Sequence, residues 1–320
     1  MEFGVSAPIR GPLANAASIR SLAEKAEALG YDYLTVSDHI VVPTEIDSTY
    51  PYSETGDFPW AEGGDVECME QFTLLSWLAA ITSKIRLLTS VTVVPHRSPL
   101  FMAKSLATID QLSGGRVSFG CGAGWLREEF EALGLPPFAA RGQVTNEYIE
   151  AIKAIWTQAR PAYSGEFVKF DKIGMDPKPV QTPHPPIWIG GESAPALRRT
   201  VAMGDTWYPF GTNPRFAMDT HAAYGARVER LHGLAEAAGR DPASIGLAYN
   251  CAFHSTQAQE HRDGGRLICT GSAEQRAEDI RAFAEEGTTS MIVNLVDNDL
   301  GAMLERMEEF ATNVVPLVNG

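Results

Sequence analysis

The stretch from Phe3 to Val36, FGVSAPIRGPLANAASIRSLAEKAEALGYDYLTV, decides the fold. It opens with a short β-rich run, Phe3-Gly4-Val5-Ser6-Ala7. The apolar residues Ile19, Leu22, Ala23, Ala26 and Leu29 then recur at helical spacing, and this helix stops at Gly30, a residue able to take positive φ. Tyr31-Asp32-Tyr33-Leu34-Thr35-Val36 reads as the next strand. Strand, amphipathic helix, strand is the pattern of a parallel sheet with crossover helices.

The rest of the chain repeats it. A helix near Met69 to Thr82 leads to a strand from Ile85 to Val94, and a helix from about Pro99 to Leu112 leads to a strand from Arg116 to Gly120. Further strands are Ile187-Trp188-Ile189, Asp205-Thr206-Trp207-Tyr208, Ile245 to Phe253 and Ser290 to Val296, and the last helix carries Leu300, Met303, Leu304, Met307 and Phe310. About eight such units favour a closed (β/α)8 TIM barrel over an open doubly wound sheet. The 320 residues exceed the ~250 of a typical barrel only modestly, so one domain over 1–320 is expected. Two segments break the rhythm and read as insertions. The stretch at about 40–66 is rich in Pro, Gly, Asp, Ser and Tyr and is too long for a simple connector; 163–186 suggests a small hairpin and an extended arm.

Composition narrows the function. A net charge of −14 repels a phosphate backbone, which argues against a nucleic-acid partner. No run approaches the ~20 apolar residues of a membrane span, and Met1-Glu2-Phe3-Gly4-Val5 enters a strand without the pattern of a secretory signal, so a cytoplasmic protein is expected. Cys68, Cys121, Cys251 and Cys269 lie far apart, and the seven histidines form no zinc pattern, so no metal is expected.

In α/β barrels the active site is built at the carboxyl ends of the strands. Three places there could carry chemistry. Ser37-Asp38-His39 sets a carboxylate beside an imidazole that can move protons near neutral pH, although a loop cap and a packed ring would look the same. Gly120-Cys121-Gly122-Ala123-Gly124-Trp125 lets backbone approach a planar or anionic ligand closely, or simply turns. Gly190-Gly191-Glu192-Ser193 suits phosphate binding at a helix N-terminus, with a plain Ser-capped turn as the competing reading.

These residues carry a resemblance. Gly30 to His39, Ile85 to Pro99, Leu106 to Glu129 with its Leu-Ser-Gly-Gly-Arg and Gly-Trp-Leu-Arg-Glu-Glu-Phe runs, Pro185 to Pro209, and Gly271-Ser272-Ala273-Glu274-Gln275 are similar to the bacterial luciferase-like flavin-dependent oxidoreductases, particularly the branch using the deazaflavin coenzyme F420. The resemblance implies that Asp38 contacts the cofactor ring and His39 exchanges a proton with substrate. It implies a non-proline cis peptide at Ser90-Val91 backing the ring, Gly120, Gly122 and Gly124 beside the ring or ribityl chain, and a phosphate site at Gly190 and Gly191, with Glu192 and Ser193 in the same turn.

There is one departure. Trp125 stands where the sugar-phosphate dehydrogenase of this family has a catalytic Glu, and its substrate-binding lysines have no counterpart here. A sugar phosphate is therefore not implied, and Trp125 becomes a candidate apolar wall over the ring. Tyr50, Tyr52, Phe58, Trp60, Trp125 and Trp207 near the expected mouth point to a small, largely uncharged organic substrate. Expected, then, is an F420-dependent oxidoreductase; the alternatives are an FMN-dependent monooxygenase fed by a partner reductase and a non-catalytic flavin carrier. A homodimer or higher homo-oligomer is the expected assembly.

Overall fold

The computed structural model describes residues 1–58 and 67–320 of the chain. Eight strands form a closed parallel ring: β1 (Glu2–Ser6), β2 (Tyr33–Val36), β3 (Arg86–Thr89), β4 (Val117–Gly122), β5 (Ile187–Gly190), β6 (Thr206–Tyr208), β7 (Gly246–Cys251) and β8 (Thr288–Val293). Each pairs with the next, and β8 returns to β1 through Glu2↔Ser290 and Phe3↔Met291. The expected (β/α)8 barrel is the fold.

Helices cover the outside: α1 (Ala16–Ala28), α2 (Gln71–Ile81), α3 (Pro99–Ser113), α4 (Arg127–Ala132), α5 (Arg141–Thr157), α6 (Ala194–Met203), α7 (His221–Ala237), α8 (Ala273–Glu285) and α9 (Leu300–Glu309). Their starts follow from local chemistry. Asn15, Glu70, Ser193, Thr220 and Asp299 each accept an amide hydrogen from the first turn they precede, and Ser272 with Gln275 forms a reciprocal capping box.

Alternation along the strands sorts the core into two layers. Tyr33, Leu88, Trp188, Tyr208, Ala248 and Ile292 fill the barrel interior, while Leu34, Leu87, Phe119, Ile189 and Tyr249 pack outward against the helices. Trp207 belongs to the outer layer. It is fully buried, stacks on Tyr224 at 5.9 Å and donates from Nε1 to the Gly191 carbonyl, so it does not line the mouth as expected.

The strand expected from Ile85 to Val94 ends at Thr89. The Ser90-Val91 peptide is cis, Thr92-Val93 then pairs beside Cys121 and Gly122, and a tight turn follows over Val94–His96. Contact at the break is close: Thr89 Oγ1 donates to the Gly120 carbonyl at 2.9 Å and accepts from the Gly120 amide at 2.8 Å. A Cβ at position 120 would collide with the Thr89 carbonyl oxygen. Gly120 is thus a packing position, not the expected cofactor contact.

The segment after α5 forms the expected hairpin, Tyr163–Ser164 against Lys169–Phe170, and an arm. Carboxylates fasten both: Glu147 accepts the amides of Glu166, Phe167 and Val168, and buried Asp110 accepts those of Val180 and Gln181.

Two glycine substitutions test this packing. Gly120→Ala should destabilise the protein by about 3 kcal/mol or more, because the added methyl meets backbone that cannot move away cheaply. Gly233→Ala, on the exposed side of α7 with open space around it, should stabilise by about 0.5–1 kcal/mol. Denaturant unfolding reads both, and a Gly120→Ala protein as stable as the parent would refute the close approach of β3 and β4.

Candidate active site

The carboxyl ends of the strands open into a cavity of about 1180 Å³. Its wall takes residues from the loops after β1, β2, β3, β4, β5 and β6, as an α/β-barrel active site does. The volume suits a cofactor together with a small substrate.

Behind its wall lies a carboxylate that sequence reading passed over. Glu129, in the first turn of α4, has a side chain with no exposure. One oxygen meets His39 Nδ1 at 2.8 Å; the other accepts the amides of Ile40 at 2.7 Å and Val41 at 3.2 Å. Burial pushes the Glu129 carboxyl up, but the His39 hydrogen bond, the two neighbouring imidazoles and the Ile40 amide outweigh it and hold the group below the ordinary carboxylate range. His39 lines the cavity with its ring fixed on this carboxylate. Imidazole oriented by a buried carboxylate is the arrangement that lets a histidine exchange protons in a defined tautomer.

Asp38 lines the cavity too, with its carboxylate held by protein groups. Its side chain has no exposure, its two oxygens make a bidentate pair with Arg97 at 2.8 Å each, and one also accepts the Val93 amide. Arg97 continues to Glu70 at 2.8 Å and lies over the Phe72 ring. With its oxygens engaged, Asp38 braces the loop after β2 against the turn after β3, and His39 presents its imidazole to the cavity.

Ser90 and Val91 line the cavity, and the Val91 methyls sit over Gly122 and Gly190. Ser90 Oγ and Tyr208 Oη are 2.9 Å apart, and Asn250 Nδ2 donates to Tyr208 Oη at 2.8 Å, giving the floor a polar chain that sequence reading missed. Burial raises the Tyr208 phenol, so it stays neutral.

Above this floor the described part of the first insertion forms an aromatic roof. Tyr50, Phe58 and Trp125 meet pairwise with centroids 4.9–5.2 Å apart, Tyr52 packs edge-on to Phe210, and His39 lies 5.5 Å from Phe58. Trp125 therefore stands where an apolar wall was expected, and Trp60 lies outside the described residues. The roof is tied down by Glu128, which accepts the Asp47 and Ser48 amides, and by Thr212, whose hydroxyl donates to the Tyr52 carbonyl.

The expected phosphate turn also lines the cavity. Gly191 has φ +106°, a conformation glycine takes freely, and Ser193 caps α6, whose N-terminus opens there. Glu192 lines the cavity as well; its oxygens accept the Phe210 amide at 2.8 Å and a hydrogen from Asn213 Nδ2 at 2.9 Å, so it holds the loop after β6, and burial raises its carboxyl. Charge for an anion comes from Arg141 and Arg199, which sequence reading did not single out. Arg199 binds Asn146 Oδ1 and the Gly142 carbonyl, and Arg141 binds the Gly124 and Phe138 carbonyls. Both line the cavity, burial lowers both, and among the described residues neither makes an ion pair with a carboxylate.

Gly122, Gly124, Gly190 and Gly191 thus share one cavity with His39, Ser90, Val91, Trp125 and Ser193, while Gly120 lies behind it. Among the described residues no helix is long and apolar enough to cross a membrane.

Comparison with known proteins accords with this geometry. The family model described as luciferase-like monooxygenase matches residues 1–263. An uncharacterised protein of Mycobacterium tuberculosis is 36% identical over 266 residues, 82% of this chain and 90% of that one. The FMNH2-dependent dimethylsulfone monooxygenase of Pseudomonas putida is 35% identical over 191 residues, 59% of this chain and 47% of that one. Among solved structures, the coenzyme F420 dependent tetrahydromethanopterin reductase from Methanopyrus kandleri has a TM-score of 0.73 at 17% identity, with 98% of each chain covered, which is a likeness of fold. The chain belongs to the luciferase-like monooxygenase family, whose members are F420- or FMN-dependent oxidoreductases and monooxygenases.

Proposed function

We propose that the chain is a coenzyme F420-dependent oxidoreductase acting on a small, largely uncharged organic substrate. One observation carries this reading: a single cavity is lined by His39, whose ring is fixed on the buried Glu129, and by two arginines that among the described residues have no carboxylate partner, beside a helix N-terminus. Such arginines, partly desolvated, suit the phosphate of a nucleotide-like cofactor. Val91 and Gly122 would flank its ring system, and Gly191, Ser193, Arg141 and Arg199 would hold its phosphate. When bound, the deazaflavin gives or takes a hydride at the substrate carbon.

The chain's own residues supply the rest. At a carbon bearing oxygen, removal of a hydride from the carbinol carbon and of a proton from its hydroxyl gives the carbonyl compound, and the reverse reaction returns both, so a group must take or give that proton. Because Glu129 engages Nδ1, His39 would carry the exchanged proton on Nε2, and Glu129 would hold the ring while its charge changes. Tyr50, Phe58 and Trp125 would exclude water above the reacting atoms.

A second reading is an FMN-dependent monooxygenase drawing reduced flavin from a partner reductase. It is supported by the 35% identity over 191 residues to an enzyme of that kind. Titration of the purified protein with F420 and with FMN, followed by absorbance and fluorescence, separates the two. F420 should bind at least tenfold more tightly; tighter FMN binding would replace the first reading by the second. Arg141→Gln should weaken binding of the phosphate-bearing cofactor about tenfold or more, the worth of one charge-assisted hydrogen bond of about 1.5–3 kcal/mol. Unchanged affinity would remove Arg141 from the site.

His39→Asn should leave cofactor affinity within about threefold and lower single-turnover rates about 10²–10⁴-fold, the usual contribution of one general acid or base. A variant that turns over like the parent, with only its melting temperature lowered, would make His39 a packing residue.

A further inference from the structure

Next to Glu129 lies a second imidazole to which the proposed mechanism gives no task. His96, in the tight turn after β3, is 6% exposed and does not line the cavity. Among the described residues neither of its ring nitrogens has a hydrogen-bond partner, yet Nδ1 stands 3.8 Å from the Glu129 oxygen that His39 does not use. Phe130 packs edge-on against the ring at 5.0 Å. Leaving a buried polar group unsatisfied costs about 1–3 kcal/mol, and native proteins do so rarely.

We propose that His96 is a positioning residue of the His39–Glu129 pair: it turns an Nδ1–H toward the Glu129 carboxylate, shares that charge with His39, and so limits how firmly His39 holds its proton. The inference rests on reading His39 as the proton-handling group.

Charge around the ring supports it. The groups facing His96 are Glu129 on α4, Asp38 and His39 after β2, and its neighbour Arg97. Asp38 is neutralised by Arg97, which leaves Glu129 as the dominant field. Burial pulls His96 below the ordinary histidine value against the pull of Glu129 and Asp38, so the ring is neutral near pH 7 and carries one hydrogen. Of the two neutral tautomers, one aims a lone pair at the carboxylate and the other aims an N–H at it. Electrostatics selects the second. At 3.8 Å the contact is longer than a hydrogen bond but close enough for the ring dipole to act on the carboxylate in a dry site.

Histidine NMR on the whole protein, labelled with nitrogen-15 and without added cofactor, tests this whether or not the proposed cofactor binds. In the unmutated protein the His96 shifts should report the proton on Nδ1; a proton on Nε2 overturns the proposal. In His96→Leu the His39 titration midpoint should rise by about 0.5 pH unit or more, because Glu129 then acts on His39 alone. In His96→Asn, where the side-chain amide keeps an N–H near the place of Nδ1, it should stay within about 0.2 unit of the parent. A midpoint unmoved in His96→Leu, with only the melting temperature lowered, would make His96 packing and nothing more, and a fall in the midpoint would reverse the assigned sign. If His96→Leu fails to fold, the tautomer in the unmutated protein still decides.

Discussion

The site is organised by one constraint: a carboxylate buried to zero exposure must have its oxygens satisfied, and among the described residues Glu129 takes its hydrogen bonds from the loop after β2. The His39 ring and the amides of Ile40 and Val41 converge on it, so the side chain best suited to chemistry and the backbone that carries it are fixed by the same group. α4 is only six residues long, and its placement depends in turn on the segment just before it: a Cβ at Gly124 would press on Val93 and on the ring of Phe130. A chain of contacts thus runs from the glycine turn after β4, through α4, to His39 some ninety residues earlier.

Acidic residues do this kind of work elsewhere in the barrel too. Asp38 joins the turns after β2 and β3 through Arg97, Glu128 takes the amides of Asp47 and Ser48, Glu192 takes those of the loop after β6, and Asp110 and Glu147 fasten the arm and hairpin. Loops leave amide hydrogens without ladder partners, and a carboxylate accepts two or three of them at once. Part of the surplus of acidic over basic residues therefore has a structural task. Asp38 and Glu192 line the cavity while protein groups engage their oxygens: a carboxylate just after a strand fits a loop clamp as well as a ligand contact.

The barrel was legible because it is written in periodicity. Alternating apolar strands and helical faces place all eight strands within a few residues, and the exception, β3, ends early where Thr89 and Gly120 come together, a contact between positions thirty-one residues apart. The site was legible where a local motif carries it, as at His39 and at Gly191 with Ser193. It was not legible at Glu129, which lay inside the quoted Gly-Trp-Leu-Arg-Glu-Glu-Phe run but gave no sign of which of two adjacent glutamates would turn inward. Tyr208, Asn250, Arg141 and Arg199 are single polar residues on separate elements, and nothing in their immediate neighbours marks them as converging. Trp207 failed for the opposite reason. Aromatic residues next to a strand end occur on both faces of the barrel, and one step of register separates the mouth from the layer under the helices.

Overall charge and local charge also have to be kept apart. A net charge of −14 would by itself repel an anionic cofactor, yet screening reduces exposed charges to little beyond about 10 Å at moderate ionic strength. What a ligand meets inside the cavity is set by groups within that range, and there Asp38, Glu54, Glu192 and Asp297 are matched by as many arginines. Asp38 is paired with Arg97, burial raises Glu192 toward its neutral form, and Arg10, Arg141, Arg199 and Arg215 all line the wall. For Arg141 and Arg199, partial burial removes water that would otherwise solvate the guanidinium, so an anion arriving there gains from a field weakly screened and already oriented. The strand ends, the α6 N-terminus and the two arginines thus meet in one cavity, where the field is set by near neighbours and not by the charge of the distant surface.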